Sequence, residues 1–518
     1  MRKEKKEKWR ITSGITLVAL VVTIIVLMIL ASISIGAVFS ERGIIQQAKD
    51  TKKEHENALT AEEKNLNELL GEYKNSMSGE GFGNEEPKPP TEYVDETIAV
   101  APKVSTGMTP VKWNGTNWEK TTTSDSSWYN YASSEKKWAN VVLGDSTFKT
   151  VDGKEVLDEE ANYSMLVWIP RYAYKIKSMY HQNGDATTAG EIDIVFIDTN
   201  NTSKSGTKYT RDSASQYPVA TVGGAMSDYV VHPAFDFGSS KLPGFWVGKF
   251  ESSNTDKTTY NGTDKTMMIK ANVPSWRYIS INNIFDVCIN MNNVGNEYKL
   301  PTSDSVVDPH QMKNDEWGAV AYLSKSMYGK QNEEVYINNN SNYITGMAGN
   351  TASASSSSAT ANTYNTVAGQ KASTNGDITG VYDMSGGTYE YSASYVNNGH
   401  NHLQTYGASL VNNANGRYKN VYTSSGDTQQ GNYNVSTPGN GHYGDAVYET
   451  SNSSLNSNDS WFSDYSRFPF STGASSIGPF FFRGGNFSSG ASAGMFCFYG
   501  TLGGCHNSYG FRVVIPVL

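Results

Sequence analysis

The chain has 518 residues and a net charge of −9 at pH 7, and only 18% of its residues are charged. This acidic balance argues against a nucleic-acid partner, because phosphate binding needs a basic surface. Three cysteines, Cys288, Cys497 and Cys505, are too few for a disulfide framework.

A basic leader precedes a long apolar segment at the N-terminus. Residues 1–14 hold six basic and two acidic residues, and residues 15–39 are largely apolar. As a helix, 15–39 has a length of roughly 37 Å, enough to cross a bilayer core. Basic flanks stay in the cytoplasm, so we expect a membrane anchor at 15–39 with the rest of the chain exported to the cell surface. Export without disulfides indicates a Gram-positive host.

The start of the apolar run resembles the type IV prepilin leader, in which a peptidase cuts after Gly and the apolar segment stays on the protein. The matching residues are Gly14, Ile15, Thr16, Leu17 and Val18. The resemblance implies leader cleavage between Gly14 and Ile15 and pilin subunits as partners. Ala19 replaces the Glu that pairs with a neighbour in pilins, which favours a subunit at the pilus tip or one that never polymerises. A plain signal anchor is the alternative.

The residues after the anchor are organised in three further stretches. Good helix formers over 40–73 predict that one transmembrane and stalk helix spans 15–73. Gly and Pro over 74–98 predict a linker. Residues 99–160 are predicted to form a small β-rich segment, with a hairpin at Asn114-Gly115.

The remaining residues, 161–518, predict strands at 165–176, 191–199 and 244–252, and a final strand over 510–518. A helix is expected within 308–326, capped by Asn314. The Ser/Asn-rich stretch 337–365 is expected to be a surface loop. By themselves these elements indicate only an α+β fold with long loops.

Six segments of this region resemble the formylglycine-generating-enzyme-like family, whose domains adopt a variant of the C-type lectin fold. They are GFWVGKFE at 244–251, LPT at 300–302, EWGAVAYL at 316–323, GVYDMSGGTYEY at 380–391, RGG at 483–485 and GFRVV at 510–514. The predicted fold class is therefore α+β, with a long N-terminal pilin-like α-helix followed by a C-type lectin-like domain of short strands, few helices and long loops. Trp246 and Trp317 are expected in its core.

The same resemblance argues against an enzyme. Catalytic members bind copper through a cysteine pair after the RGG motif, and those positions fall at Ser489 and Gly494 here. No catalytic residue is therefore assigned, and a formylglycine-generating-type oxidase is the second alternative. The family also holds a structural calcium ion, for which Glu390 is a weakened candidate ligand because Gly387 replaces a family Asn. No other cofactor is implied.

The segment 486–509 resembles the variable region of target proteins of diversity-generating retroelements, which is rewritten through adenine-specific mutagenesis. The segment contains a mixture of Ser, Tyr, His, Phe, Gly and Cys between the fixed-looking RGG and GFRVV borders, within a variable region of about 483–512. An ordinary Gly/Ser-rich loop is the alternative. The predicted ligand contacts are Phe487, Ser488, Ser489, Ser492, Phe498, Tyr499, Leu502, His506, Asn507 and Tyr509. Core positions are expected at Phe481, Phe482, Met495 and Phe496, and structural roles at Arg483 and Arg512.

These observations predict a surface-displayed, membrane-anchored or pilus-tip protein that binds a protein or glycan ligand on another cell or phage. The main alternative is a minor pilin or pseudopilin whose globular domain is not diversified. The retroelement interpretation predicts that variation between related sequences is confined to 486–509.

Overall fold

The computed structural model describes residues 99–144, 147–179, 191–210, 225–255, 261–263, 266–355, 362–437, 442–452, 458–473 and 477–518. All of them belong to one compact unit that begins at Tyr93. The predicted leader with its Gly14–Ile15 cleavage site, the 15–73 helix and the whole 74–98 linker lie outside the described residues. Within these ranges, no helix combines the length and apolarity needed to cross a membrane.

A mixed set of short strands dominates the described residues. The first twelve are β1 Met108–Trp113, β2 Trp118–Lys120, β3 Asn140–Leu143, β4 Phe148–Val151, β5 Lys154–Leu157, β6 Ser164–Pro170, β7 Tyr172–Ile176, β8 Ile192–Phe196, β9 Val230–Val231, β10 Asp236–Phe237, β11 Ser240–Lys241 and β12 Gly244–Gly248. The others are β13 Ser253–Asn254, β14 Met267–Met268, β15 His310–Gln311, β16 Met347–Ala348, β17 Asn362–Thr363, β18 Tyr389–Asn397, β19 Asn420–Thr423, β20 Ser466–Arg467, β21 Phe480–Gly484, β22 Gly494–Thr501, β23 Tyr509–Phe511 and β24 Val513–Ile515.

Few helices interrupt these strands. The α-helices are α1 Ile281–Ile289, α2 Asn314–Ser324, α3 His402–Thr405, α4 Ala408–Asn412 and α5 Gln429–Val435. Short 3₁₀ turns lie at Pro233–Phe235, Gly369–Ala372, Gly416–Tyr418, Trp461–Ser463 and Gly490–Ser492. The expectation of a strand-rich domain with few helices is confirmed for the described part of the chain.

Two larger sheets organise the fold. The first has nine strands in the order β15-β24-β12-β6-β3-β1-β2-β5-β4. The second has the order β19-β18-β21-β22-β20, with β23 also pairing with β18. A third sheet contains β8, β7 and β9. Residues 99–160 supply β1–β5 of the first sheet, which continues across position 160 into β6 through the β3–β6 pairing.

The predicted strand 165–176 is divided at Arg171, so that β6 joins the nine-stranded sheet and β7 the three-stranded one. The Arg171 N–H donates to Pro243 O at 2.8 Å, while its carbonyl accepts from Ile197 N at 3.2 Å. Its fully buried guanidinium donates to Phe235 O at 2.8 Å and to Asn201 Oδ1 at 2.6 Å. A buried arginine needs this many acceptors, and satisfying them turns the chain from one sheet to the other.

The C-terminal strand is divided in the same way at Arg512. Strand β23 runs parallel to β18 in the second sheet, and β24 pairs with β12 in the first. The side chain of Arg512 donates to Glu390 at 3.1 Å and 2.6 Å, to Gly248 O at 2.7 Å and to Tyr382 O at 2.9 Å. The prediction of a structural role for Arg512 is confirmed, since it ties the two sheets together.

Helix α2 corrects two details of the sequence analysis. Its N-cap is Lys313, whose N–H donates to the Glu316 carboxylate at 2.9 Å. Asn314, predicted as the cap, is the first helical residue, and its side chain instead donates to Tyr422 Oη at 3.0 Å. Every residue of α2 is buried, so the helix lies within the core rather than against one side of it.

Of three other expectations, two are confirmed and one is wrong. The hairpin at Asn114-Gly115 is confirmed by the pairing of Trp113 with Trp118. The predicted core residues are buried, namely Phe481, Phe482, Met495, Phe496, Trp246 and Trp317. The stretch 337–365 is not simply a surface loop, because Ile337 and Ala348 are fully buried.

Candidate functional site

The predicted variable segment connects two buried strands of the second sheet. It leaves β21 through Gly484 and Gly485, whose φ angles of 82° and 73° favour glycine. A Cβ at Gly485 would lie 2.7 Å from the Ala493 Cα, so the close turn excludes any larger residue. Asn486 then closes the turn, because its Oδ1 accepts from the backbone N of Ser488 at 3.1 Å.

Arg483 anchors the start of this segment. Its guanidinium is fully buried and donates to Asp445 O at 3.0 Å and Ala446 O at 2.9 Å. It also lies 5.5 Å from the ring centroid of Trp317. The structural role predicted for Arg483 is confirmed, and the segment therefore begins and ends at buried arginines.

Most of the predicted ligand contacts reach the surface. Ser488, His506 and Asn507 are exposed, and a second group is partly exposed, comprising Phe487, Ser489, Ser492, Tyr499, Leu502 and Tyr509. Phe498 is a correction. Its ring is fully buried against Phe481, Phe468 and other apolar side chains. Since side chains alternate along a strand, Phe498 points to the opposite side of β22 from Tyr499.

A cavity of about 390 Å³ opens beside β22. Its lining residues are Tyr389, Tyr465, Ser489, Ser492, Cys497 and Tyr499. The structure thus brings together three predicted contacts, Ser489, Ser492 and Tyr499, and places Phe487, Ser488, Leu502, His506, Asn507 and Tyr509 outside this lining. Cys497 and Tyr499 line it together because they lie two residues apart on the same side of β22.

Two tyrosines from outside the variable segment complete the cavity. The rings of Tyr465 and Tyr499 meet edge to face, with centroids 5.6 Å apart. Tyr389 Oη lies 3.4 Å from Ser489 Oγ. Sequence reasoning did not assign either Tyr389 or Tyr465 to the site. Tyr389 lies within the GVYDMSGGTYEY segment, whereas no sequence signal distinguishes Tyr465, which lies just before β20 and whose carbonyl accepts a hydrogen bond from Phe498 N at 3.0 Å.

The cavity lining is electrically neutral. Burial raises the pKa of the Cys497 thiol and of the Tyr389 and Tyr465 hydroxyls. Next to Cys497, burial raises the pKa of Asp464 well above its ordinary value, and the carboxyl accepts from Phe496 N at 2.9 Å. A thiol held in its protonated form is a poor nucleophile, so this arrangement suits binding better than covalent chemistry.

A second group of contacts lies outside the cavity, at the two ends of the segment. The Arg277 guanidinium donates to Asn507 O at 2.9 Å and packs on Tyr343. Tyr343 in turn meets Phe487 edge to face, with ring centroids 4.8 Å apart. One end of 486–509 is therefore held by Arg277 and the other by Tyr343, two side chains that contact each other and that sequence reasoning did not single out.

Aromatic stacking continues along this surface. The His506 ring lies 4.7 Å from that of Tyr509, which is 4.3 Å from Phe482. Tyr389 stacks on Phe482 at 5.4 Å. Because Phe482 is buried and Tyr509 partly exposed, the core supports the aromatic surface from below.

The Glu390 carboxylate, which was predicted as a calcium ligand, is already paired with an arginine side chain. Both carboxylate oxygens of Glu390 accept hydrogen bonds from the Arg512 guanidinium, and the pair is buried. Within the described ranges, no group of three or more His, Cys, Asp or Glu side chains is arranged to hold a metal ion. The residues around Glu390 therefore fit an ion pair better than a calcium site.

The position that the enzyme resemblance assigns to a second copper-binding thiol leaves no room for one. A Cβ at Gly494 would lie 2.1 Å and 2.2 Å from the carboxylate oxygens of buried Asp464. A cysteine there would collide with this carboxylate unless Asp464 moved. No protein-family profile matches the chain, and no curated protein matches it either.

Proposed function

We propose that this protein is a surface-displayed ligand-binding protein, anchored in the membrane or carried at a pilus tip, whose segment 486–509 is diversified by a retroelement. It acts by binding rather than by catalysis. The observation that carries the proposal is the arrangement of 486–509. Its two borders are buried arginines of the core, whereas nine of the ten predicted contacts between them are exposed or partly exposed.

This arrangement separates folding from recognition. Arg483 and Arg512 bind backbone carbonyls and Glu390 on other elements, so the borders are fixed by the core. Substitutions at Ser488, His506 or Asn507 would change the surface without disturbing those contacts. A rigid framework with replaceable aromatic, Ser, Asn and His side chains keeps the entropic cost of binding low, as in antibody loops.

The diversification is tested by sequencing the 3′ end of the gene in sister isolates. We expect substitutions confined to 486–509, at codons in which adenines have changed, with a near-copy template and a reverse transcriptase gene nearby. Codons 244–251, in strand β12 and just after it, serve as the internal control and should stay unchanged. An invariant 3′ end would refute diversification and favour the minor-pilin alternative.

The anchored topology needs a separate measurement. Residues 1–14 and the apolar run at 15–39 support delivery through a prepilin-type route. Intact-mass analysis of the membrane-extracted protein should show an N-terminus at Ile15, with the leader removed. Recovery of the uncut chain would reduce this part of the proposal to a simple signal anchor.

A further inference from the structure

The cavity beside β22 is lined by aromatic rings and by hydroxyl groups. Rings of Tyr389, Tyr465 and Tyr499 offer apolar surfaces with hydroxyls at their edges, and Ser489 and Ser492 add small hydroxyls. Its volume of about 390 Å³ lies at the lower end of the range for small-molecule sites. The ligand must therefore be compact, and it must present both apolar and hydrogen-bonding faces.

The absence of charge in the lining narrows the ligand class further. None of the six lining residues is acidic or basic. A cationic group entering the cavity would lose water without gaining a counter-charge, and an anionic group would find only Arg467, which hydrogen-bonds the Tyr465 hydroxyl from outside the lining. A purely apolar group would cover the hydroxyls of the tyrosines and serines without replacing their hydrogen bonds to water.

A pyranose ring meets these requirements. Its axial C–H bonds form an apolar face that packs on aromatic rings, while its hydroxyls radiate from the edge as donors and acceptors. Tyrosine and serine hydroxyls both donate and accept, so they match hydroxyls of either orientation. We infer that this cavity is a subsite for an uncharged pyranose, and that the ligand of the diversified surface is a glycan.

The residues that line the cavity come from two parts of the chain, and we assign them different roles. This assignment rests on the proposed function. Tyr389 and Tyr465 lie outside 486–509, whereas Ser489, Ser492 and Tyr499 lie within it. The outer tyrosines supply the same aromatic surface to every diversified version. Substitutions at the inner three positions then alter which sugar is preferred.

The test uses the full-length protein in a detergent without a sugar head group. Saturation-transfer NMR is recorded with the methyl glycosides of glucose, galactose, mannose and N-acetylglucosamine, and with methyl glucuronide as the charged comparator. We expect at least one neutral glycoside to receive saturation on its ring protons, with millimolar affinity, and the glucuronide to bind more weakly. Arg467, which hydrogen-bonds the Tyr465 hydroxyl, makes the charged comparator necessary.

Two variants locate the binding. Tyr499→Ala and Tyr465→Ala should each weaken the bound glycoside about tenfold, since each removes an aromatic surface from the cavity. Tyr336→Ala, which removes a partly buried tyrosine outside the lining, should leave the affinity unchanged. Circular dichroism of each variant confirms that it is folded.

The results that would overturn the pyranose subsite differ from those that would refute the proposed function. No saturation of any neutral glycoside at 50 mM, equal losses in Tyr336→Ala and Tyr499→Ala, or preference for the glucuronide would each overturn the pyranose subsite. Binding of a peptide in the same cavity would also overturn it, yet leave a diversified recognition surface intact. An invariant 3′ end combined with glycoside binding would instead refute diversification alone.

Discussion

The Arg277 guanidinium lies over the ring of Tyr343, with 4.2 Å between the guanidinium carbon and the ring centroid. Through this pair, Asn507 is held by a hydrogen bond and Phe487 by an edge-to-face contact. The two ends of the proposed recognition segment, twenty residues apart, are thereby fixed to side chains that the segment does not itself encode.

The first prediction concerns this contact. Arg277→Ala should increase deuterium uptake in peptides covering 486–492 and 504–509, because the Asn507 carbonyl loses its donor and Tyr343 loses its cation. Uptake in strand β12 should stay the same. Lys204→Ala, a substitution at an exposed site, is the matched control. Equal uptake in Arg277→Ala and the parent protein would contradict a positioning role.

The second prediction separates the two sides of β22. Phe498→Ala should reduce the free energy of unfolding by about 3–5 kcal/mol, because it leaves a void in a fully buried aromatic cluster. Tyr499→Ala should cost less than about 2 kcal/mol, since that ring is partly exposed. Urea denaturation followed by tryptophan fluorescence measures both. Similar losses for the two variants would argue against the alternation.

The third prediction concerns thiol access. Cys505 is exposed, whereas Cys288 and Cys497 are buried and burial raises the pKa of both thiols. The folded protein should therefore react with one equivalent of a thiol-specific reagent, and the unfolded protein with three. Cys505→Ser should remove the fast reaction. Rapid labelling of Cys497 in the folded protein would show that the cavity opens further than its walls suggest.

The fourth prediction concerns pH. Burial raises the pKa of Glu449 to about 8, even though Tyr174 Oη and Gly444 N donate to its carboxylate. The folded state thus retains a proton that the unfolded state releases near pH 4.5. The contribution of Glu449 to stability should therefore fall from about pH 4.5 to pH 8, by about 1.4 kcal/mol per pH unit, and then level off. Glu449→Gln should make the slope of the unfolding free energy against pH less steep, by the amount that one proton contributes. An unchanged slope would contradict the assignment.

The fifth prediction concerns the buried pair of Arg512 and Glu390. Glu390→Gln should reduce the free energy of unfolding by about 3–5 kcal/mol, because it leaves the Arg512 charge buried without its partner. Calcium or a chelator should not change the melting temperature of the parent protein, since Arg512 already occupies both carboxylate oxygens. A calcium-dependent rise in melting temperature that Glu390→Gln abolishes would restore the calcium prediction.

Patterns among residues close together in the sequence were enough to predict several features of the fold. Asn114-Gly115 predicted a hairpin because a tight turn depends on residues adjacent in sequence. Phe481, which precedes the variable segment, and Phe496, which lies within it, were both predicted as core residues and are buried. Lys313 replaced Asn314 as the cap of α2, because Tyr422 and Ser392, distant in sequence, engage the Asn314 side chain.

The breaks at Arg171 and Arg512 were missed because a single arginine within an apolar run, even one that follows Pro170, does not show whether the chain changes sheet there. Each break depends on acceptors far along the chain, such as Phe235 O for Arg171 and Gly248 O for Arg512. Phe498 was misassigned because a phenylalanine suits a binding surface as well as a core. Only the side of β22 on which its side chain lies decides between the two.

The amino-acid sequence by itself determined the strand-rich composition, the borders of the candidate recognition segment and the basic-then-apolar order of the N-terminus, because each depends on residues close together in the chain. Only the tertiary structure decided which side chains of that segment reach solvent and which outer residues join them. Tyr389 contacts Ser489, and the ring of Tyr465 contacts that of Tyr499, although the members of each pair are distant in sequence, and no local pattern encodes such contacts.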